Sequence, residues 1–412
     1  MNTASSKVNI FEKANSALSR TANWIDKFGG RLAGSPACRA TAEAIRADLS
    51  ALGLSANVET FQTHPDAFTK FYRIDILLYA AGVVLLWLNQ PLAAALVTSF
   101  MIFGAGQQFG YYREFYDRLY PLKTCQNITA TLEPQGEVRQ QLIFSGHHDS
   151  AQELKFLKGN QRLYGLKILL PDATRMLAMV TAWCWVFWQL ITGHAPIFMP
   201  YARILLVFGF IIVFSKFFLF SKEAVPGAGD NLIASSMLVD LAARFKAEGQ
   251  STCSTLEHTR LLFVSFDAEE AGLRGSRAWV KAHRQELTDL PTFALNIDSV
   301  YHLADLQFLT SDLNNHLKLD QDLAQKCIVI ARRLGFPAKP ALMKFGGGAT
   351  DAAELARAGV KATTLIAMST DLVRDGLVYH TMRDTVDAIE PEAVAACLSI
   401  ANSLAHNLDQ AS

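Results

Sequence analysis

The sequence predicts an α/β fold in which a mostly parallel, mixed β-sheet has helices on both faces, with about four membrane helices inserted into it. Two observations lead to this prediction. Short apolar strand-like segments alternate with longer amphipathic segments along most of the 412 residues. Two blocks of almost unbroken apolar sequence interrupt this alternation. The mean hydropathy of +0.17 is high for a soluble enzyme, and the excess is concentrated in these two blocks.

The alternating elements follow in order along the chain. Apolar residues spaced three to four apart predict helices, and short apolar runs predict strands. The predicted helices are Ala37–Leu52, Leu232–Lys246, Asp320–Leu334 and Pro391–Leu408. The predicted strands are Val58–Gln62, Ile128–Leu132, Gln141–Ser145, Leu261–Phe266, Thr292–Ile297 and Lys361–Ala367. Functional loops of such sheets lie at the carboxyl ends of the strands, so we expect the functional site there.

Each apolar block contains two runs separated by a proline-containing turn, which predicts a helical hairpin. The first hairpin is assigned to residues 74–112 and the second to residues 155–222. The runs are apolar on every face, whereas a helix that covers a soluble core usually keeps a polar stripe. Membrane helices are therefore favoured over buried core helices. The runs of the first block are short for a bilayer span, which leaves a re-entrant first hairpin open.

Basic residues beside the hairpins predict the orientation of the chain. The two short connecting turns hold one basic residue, Arg203. The flanks on the side of the remaining chain hold Lys70, Arg73, Arg113, Arg118, Lys123, Lys155, Lys158, Arg162, Lys167, Arg175, Lys216 and Lys222. Because positive charge stays cytoplasmic, residues 1–73, 113–154 and 223–412 are predicted to form one domain on the cytoplasmic side of the inner membrane.

Overall composition indicates which partners and which compartment to expect. Basic and acidic residues balance at 38 each, so the chain lacks a field for polyanions and we expect no nucleic acid partner. The six cysteines form no CxxC pair, which favours free thiols in a reducing compartment. The N-terminal segment shows no apolar stretch typical of a signal peptide.

Polar side chains stand where the predicted strands end. The candidates are His147 and Asp149, then Asp230, the pair Glu269 and Glu270, Asp298, and His380. A Glu–Glu pair or a lone histidine is by itself more often structural than catalytic. Among them, however, two histidines and three carboxylates can converge on one crevice and offer nitrogen and oxygen donors without thiolate. This is the ligand chemistry of a hydrolytic zinc pair.

The order of these motifs resembles peptidase family M28, whose members are zinc peptidases that include aminopeptidases and glutaminyl cyclase-like relatives. The motifs that carry the resemblance are RLAGSPACRATAEAI, NITATL, LIFSGHHDS, GAGDN, LVDLAARF, LLFVSFDAEEAGLRGS, LNIDS, GGGATD and YHTMRDT. They cover nearly all of the chain outside the two apolar blocks. The resemblance implies a zinc-peptidase fold for that part of the chain.

The resemblance also implies a role for each candidate residue. The implied ligands of two Zn²⁺ ions are His147, Asp230, Glu270, Asp298 and His380, with Asp230 bridging the ions. Asp149 would orient His147, Glu269 would be the general base, and Tyr379 would stabilise the oxyanion. The implied activity is that of a membrane-anchored aminopeptidase, which hydrolyses N-terminal peptide bonds through a metal-bridging hydroxide.

Two departures from the family pattern affect the surroundings of the ligands. Ile233-Ala234 stands where a Ser-Gly pair is usual, which touches helix packing near the metals. Ala352 stands where a histidine often follows the pair Thr350-Asp351, so the substrate preference stays open. The second hairpin leaves the chain between His147 and Asp230, two ligands of one centre, which suggests membrane-proximal or apolar peptide substrates. The alternative is that the hairpins only localise the enzyme or mediate dimerisation.

Other functions are compatible with parts of the sequence. One is a single-zinc glutaminyl cyclase-like aminoacyltransferase of similar fold. Another is a non-catalytic binding protein on a peptidase scaffold, although the intact set of ligands and base disfavours it. A transporter is disfavoured because the four apolar runs lack the intramembrane charges of a transport path. The sequence does not predict an oligomeric state.

Overall fold

The computed structural model describes residues 3–248, 254–344, 346–369 and 376–412. Within these ranges the α-helices are α1 (Thr3–Phe28), α2 (Pro36–Ala51), α3 (Pro65–Lys70), α4 (Tyr72–Trp87), α5 (Pro91–Ala105), α6 (Tyr164–Thr192), α7 (Met199–Phe214), α8 (Ile233–Glu248), α9 (Arg274–Ala282), α10 (Arg284–Asp289), α11 (Gln321–Arg333), α12 (Ala352–Arg357) and α13 (Pro391–Asp409). The strands are β1 (Ser55–Thr63), β2 (Lys123–Leu132), β3 (Gln140–His147), β4 (Gln152–Leu154), β5 (Phe220–Ala224), β6 (Thr259–Phe266), β7 (Thr292–Val300), β8 (Leu306–Asp312), β9 (Leu317–Lys318), β10 (Lys339–Leu342) and β11 (Lys361–Ala367).

The main sheet has nine strands in the order β1-β2-β6-β3-β7-β11-β8-β10, with β9 paired to β8. The central strands β6, β3, β7 and β11 are mutually parallel. β1, β2 and β6 pair antiparallel, and so do β11 and β8. The expectation of a mostly parallel sheet is therefore correct only for its centre. β1 and β2 flank the first apolar hairpin in the sequence and are neighbours in the sheet. Adjacent strands of this kind need no parallel crossover connection, and they pair antiparallel.

Helices cover both faces of the sheet, as predicted. One apolar core includes Ile45 of α2, Met237 of α8, Ile328 of α11 and Ala396 of α13. A second core lies on the opposite face and includes Trp279 of α9. Residues of β3 are buried along its whole length because both faces of this central strand are covered. Each predicted strand lies within an observed one, and each of the four predicted helices matches an observed helix to within two residues at either end.

The four apolar runs form a separate bundle of helices α4, α5, α6 and α7. Each helix packs against two others, and the inward faces share one apolar cluster that includes Tyr79, Ala94, Ala178 and Leu206. The outward faces are also apolar and strongly exposed, as shown by Leu77 (69%), Leu96 (56%), Ile191 (84%) and Phe208 (63%). A bundle in water would expose polar side chains on this surface. The outer surface of these helices is thus as apolar as their interior.

Two of the four runs, and not all four, are long and apolar enough to cross a bilayer within the described residues. They are the 20-residue segments Pro91–Gly110 and Met199–Phe218. Helix α4 has 16 residues and is about 24 Å long, which is less than the ~30 Å hydrocarbon core. Helix α6 has 29 residues, but its first half contains Lys167, Asp172 and Arg175. This corrects the expectation of about four membrane helices.

Charged side chains mark one end of the bundle. Arg175 of α6 forms ion pairs with Asp75 of α4 and with Asp172, and Lys216 after α7 also contacts Asp172. At the opposite end, Arg203 donates a 2.6 Å hydrogen bond to Asn89. The charged end is the one from which the chain continues into the sheet domain.

Five cysteines fall within the described ranges, and all are free. Four of them, Cys38, Cys125, Cys327 and Cys397, are buried, and Cys184 on α6 is exposed. The sixth, Cys253, lies outside the described residues. The described thiols agree with the predicted absence of a disulfide framework.

Candidate metal centre

The predicted site residues converge at one edge of the central sheet. His147 is the last residue of β3, Glu269 and Glu270 follow β6, and Asp298 lies near the end of β7. Because these strands are neighbours and run parallel, their carboxyl ends meet in one crevice. Asp230 enters from the segment before α8, and His380 enters from the segment before α13. The predicted grouping is therefore found in the fold.

Asp230 lies between two groups of donor atoms. Its Oδ1 is 3.3 Å from Nε2 of His147, and its Oδ2 is 3.0 Å from Nε2 of His380. On the first side, Oδ1 of Asp298 is 3.9 Å from Nε2 of His147. On the second side, Oε1 of Glu270 is 3.1 Å from Nε2 of His380. The geometry thus divides the donors into two groups that share one carboxylate.

Asp149 holds the centre together from behind. Its carboxylate oxygens accept the backbone N–H groups of Glu269 and Glu270, each at 3.2 Å. The same carboxylate lies 3.3 Å from Nδ1 of His147. One buried side chain therefore fixes the imidazole ring and the glutamate pair relative to each other.

Two further positioning residues were not singled out by the sequence interpretation. The buried Arg31 donates hydrogen bonds to the carbonyl oxygens of His148, Pro226 and Gly227 at 2.8–2.9 Å. Asp384 accepts the backbone N–H of Gly229 at 2.8 Å and of Asp230 at 3.3 Å. Both residues occur in motifs quoted above, RLAGSP and YHTMRDT. No periodicity, however, shows that a lone arginine or aspartate will be buried against a distant loop.

Electrostatics at the site indicate excess negative charge. Burial raises the pKa of Glu269 well above its usual range, and Asp298 adds to the shift although His147 opposes it. Burial likewise raises the pKa of Asp298. Burial alone would lower the pKa of His380, but the charges of Glu270 and Asp230 raise it to about 10. The positive charges of the protein do not balance the negative charge of these buried carboxylates. A bound metal cation would balance it.

Several buried atoms have no hydrogen-bond partner among the described residues. They are Nε2 of His147, Nε2 of His380, Oδ2 of Asp230 and Oε1 of Glu270. Buried polar atoms normally form hydrogen bonds, so four neighbouring nitrogen and oxygen atoms without one need an explanation. Imidazole and carboxylate ligands suit zinc and related hydrolytic metals. The residues present therefore fit metal ions divided between the two groups.

A third buried cluster contains Cys38, His148 and Asp267, and Nε2 of His148 has no hydrogen-bond partner among the described residues. Cys38 donates through Sγ to Oδ1 of Asp267 at 3.2 Å, and Asp267 also accepts the backbone N–H of Gln126 at 3.0 Å. His148, for which the sequence predicted no role, lies with Nδ1 2.8 Å from the Ser265 hydroxyl. These bonds join α2, β2, β3 and the loop after β6.

Tyr379, the predicted oxyanion donor, lies directly beside the centre. Its ring stacks on the imidazole of His380, with 3.8 Å between centroids and 17° between planes. It also packs against the apolar cluster of the four-helix bundle. Tyr379 therefore contacts both a candidate ligand and the bundle.

Residues 216–405 match the sequence profile of peptidase family M28. The matched segment contains Asp230, Glu269, Glu270, Asp298, Tyr379 and His380. His147 and Asp149 precede the matched segment, and the fold brings them to the same crevice.

Several solved structures have a fold similar to that of this chain. A zinc-dependent exopeptidase from Parabacteroides distasonis is 13% identical, with 96% of this chain and 98% of that chain covered and a TM-score of 0.55. A zinc aminopeptidase from Bacillus subtilis is 14% identical, with 96% and 95% covered and a TM-score of 0.56. A glutaminyl cyclase from Fimbriiglobus ruber is 13% identical, with 95% and 94% covered and a TM-score of 0.55. A comparison with curated protein sequences finds no match.

Proposed function

We propose that the chain is a membrane-anchored di-zinc aminopeptidase. The observation that carries this proposal is the pair of buried donor groups that share Asp230, in which Nε2 of His147 and Nε2 of His380 make no hydrogen bond to the described residues. The match to peptidase family M28 supports a metallopeptidase, and two of the similar structures are a zinc exopeptidase and a zinc aminopeptidase.

In this proposal each zinc ion has ligands from both histidine and carboxylate residues. His147 and Asp298 would hold one ion, His380 and Glu270 would hold the other, and Asp230 would serve both. Bound zinc supplies an activated water near neutral pH and polarises the scissile carbonyl. Asp149 keeps His147 in the orientation that directs Nε2 to the centre, because it occupies the opposite ring nitrogen.

Glu269 serves as the proton carrier. Its Oε2 lies 3.7 Å from Nε2 of His147, at the edge of the donor group, and its backbone is fixed by Asp149. From this position it can accept a proton from water and pass it to the leaving amine. The ring of Tyr379 is held against His380, from where its hydroxyl donates to the developing oxyanion.

Membrane anchoring is proposed from the bundle. Helices α5 and α7 extend to 20-residue apolar segments, each about 30 Å long, which matches the hydrocarbon core of a bilayer. The outward apolar faces of α4 and α6 continue the same surface. In the proposal, lipid covers this surface and the catalytic domain lies on the cytoplasmic side of the inner membrane.

A single-zinc glutaminyl cyclase-like activity is the second candidate, because glutaminyl cyclases occur among the similar structures. The two activities are separated by metal analysis and substrate. Detergent-purified protein is expected to contain two zinc ions per chain and to release the N-terminal residue from aminoacyl amides. One zinc per chain together with cyclisation of an N-terminal glutaminyl peptide would favour the second candidate. Full metal occupancy without either activity would favour a binding protein.

A further inference from the structure

The segment that returns from the first apolar hairpin forms part of the active-site crevice. After α5, residues 106–122 run back towards β2. Within this segment Asp117 is buried and forms a two-bond ion pair with Arg274, with 3.0 Å for each of the two N–O distances. Arg274 belongs to the DAEEAGLRGS motif and opens α9. This ion pair fixes the returning segment to the loop that carries Glu269 and Glu270.

A second set of bonds joins the same segment to the GGGATD loop. Asn314 donates its side-chain N–H groups to the carbonyl oxygens of Phe109 and Gly110 at 3.0 and 3.3 Å. The side-chain oxygen of Asn314 accepts the backbone N–H of Gly346 and of Gly348 at 3.1 and 3.2 Å. One asparagine therefore sets the distance between the hairpin segment and the GGGATD loop.

Tyr112 is the residue of this segment that packs between the glutamate loop and the GGGATD loop. It packs with Leu273 of the glutamate loop and with Ala353 of α12, and only 5% of it is exposed. Its φ of 54° lies in the left-handed region, which is unfavourable for a tyrosine and persists only where the surroundings impose it. Arg274 and Arg277 both donate to its carbonyl oxygen, at 3.1 and 2.7 Å.

The Tyr112 hydroxyl lies beside the glycine loop. It lies 3.4 Å from the position that a Cβ on Gly348 would occupy, so it fills space left by the glycine loop. Burial raises the pKa of this phenol well above its usual range, and the nearby charges of Glu269, Asp312 and Glu270 raise it further. The phenol therefore stays protonated. Among the described residues it makes no hydrogen bond, so its proton is available to a ligand.

We propose that Tyr112 is a further catalytic residue, whose hydroxyl donates a hydrogen bond to the oxyanion that forms from the scissile carbonyl. The inference rests on the proposed peptidase function and adds a residue that the apolar hairpin supplies. The Tyr112 phenol is a neutral hydrogen-bond donor surrounded by carboxylates. It stabilises the negative charge that develops on the oxygen of a bound carbonyl in the transition state. The first hairpin then has a role in the reaction as well as in anchoring.

The test compares Tyr112→Phe with the control Tyr111→Phe. Both substitutions remove one oxygen, and Tyr111 is 41% exposed and stacks on His316 outside the crevice. Because the Tyr112 hydroxyl has no described partner, its loss should leave the fold, melting temperature and zinc content unchanged. With an aminoacyl p-nitroanilide, we expect kcat to fall about 10²-fold in Tyr112→Phe with little change in KM, and no change in Tyr111→Phe.

A binding measurement keeps the inference testable apart from turnover. Calorimetry with an α-aminophosphonate, which mimics the tetrahedral species, should show affinity about 10- to 100-fold weaker for Tyr112→Phe than for wild type. Equal phosphonate affinities, or a higher KM with unchanged kcat, would overturn the role of Tyr112. If wild-type protein releases no N-terminal residue, the proposed aminopeptidase function fails instead, which is a different result.

Discussion

Asp230 is the residue on which the whole centre depends. Its two carboxylate oxygens face different histidines, at 3.3 and 3.0 Å, and its backbone N–H is held by Asp384. Neighbouring residues adopt strained backbone, with φ of 59° at Ala268, 49° at Ser299 and 51° at His380. Strain of this kind costs about 1–3 kcal/mol per residue and persists where surrounding bonds impose it. The centre is therefore held in shape at a measurable cost in stability.

The two adjacent glutamates can be distinguished by one substitution. Glu269→Gln removes the proton acceptor but keeps the size of the side chain and the backbone bond to Asp149. We expect turnover to fall by about 10²–10⁴-fold, because this is what general acid–base catalysis usually contributes. Zinc content, measured by elemental analysis of the purified protein, should stay at the wild-type level.

The matched variant is Glu270→Gln, in which a proposed ligand beside His380 is lost. Here zinc content should fall together with activity. If Glu269→Gln loses zinc and Glu270→Gln keeps it, the two roles have been assigned in the wrong order.

Much of the site could be predicted because ligands at the ends of parallel strands must meet at one edge. His147, the glutamate pair and Asp298 are brought together for this reason alone. Tyr112 and Arg31 could not be found in the same way. Their positions depend on loops that fold back across the sheet, and loop paths leave no periodic pattern in the sequence. Tyr112 is moreover part of a segment that the sequence placed at the edge of a membrane hairpin.

At the scale of elements, helix α9 is fixed to the edge of the sheet by one histidine. The ring of His283 stacks on Trp279 of α9, with 4.4 Å between centroids. Its Nε2 is 2.8 Å from Glu59 of β1, and its Nδ1 is 3.0 Å from Glu286 of α10. The hydrogen bond to Glu59 is the main reason that the pKa of His283 rises from 6.5 to about 9.

This contact predicts a pH-dependent contribution to stability. A raised folded pKa means that the protonated ring stabilises the fold fully below about pH 6.5, and that this stabilisation is lost as pH rises through about 9. His283→Gln should therefore lower the melting temperature of detergent-purified protein at pH 6, and the difference from wild type should shrink by pH 10. After screening by solvent, the effect is about 1 kcal/mol. His194→Gln, at an exposed position in the bundle turn, is the control, and a difference independent of pH would contradict the prediction.

Most of the elements that the sequence interpretation missed are short, but the 26-residue helix α1 was also not predicted. β8, β9 and β10 have seven, two and four residues, and they form because they pair beside β11 and each other. Helix α6 begins before its apolar run and continues through Pro171, because tertiary packing outweighs the usual helix-breaking effect of proline. Long periodic segments such as α8 and α13 were predictable, since their apolar faces alone determine burial.

At the scale of the molecule, the bundle and the sheet domain meet near the catalytic crevice. Gln161, just before α6, exchanges two hydrogen bonds with the backbone of Leu377, at 2.8 and 3.1 Å. His380 follows three residues later, and its carbonyl oxygen accepts the N–H of Leu154 at 2.9 Å. The chain around the start of the second hairpin, Leu154 and Gln161, is therefore hydrogen-bonded to the short segment that contains Leu377 and the candidate ligand His380.

Orientation in the membrane is testable with a fusion. The excess of basic residues on the sheet-domain side of the hairpins predicts that both termini are cytoplasmic. An alkaline phosphatase fused after Ser412, which is active only outside the inner membrane, should be silent. A green fluorescent protein at the same place should be bright. The reverse pattern would contradict the proposed orientation and the reducing compartment.

The placement of the crevice predicts a preference for peptides held near the bilayer. Wild-type protein in lipid nanodiscs should cleave a peptide with an acyl tail at its C-terminus at least tenfold more efficiently, in kcat/KM, than the same peptide without the tail, because the tail raises its local concentration. In detergent micelles that do not take up the acyl tail, the two peptides should be cleaved with equal kcat/KM. No gain from the tail in nanodiscs would mean that the hairpins serve for anchoring alone.

The position of the second hairpin between His147 and Asp230 also sets an order during biosynthesis. His147 is synthesised before the bundle is complete, and the other four proposed ligands emerge only after α7. A nascent chain therefore cannot assemble a full set of ligands until its apolar helices have been made and have left the translation machinery. Under the proposed membrane placement, insertion precedes catalytic competence. If the proposed function and placement hold, the peptidase would stay inactive towards other newly made chains until it has reached the bilayer.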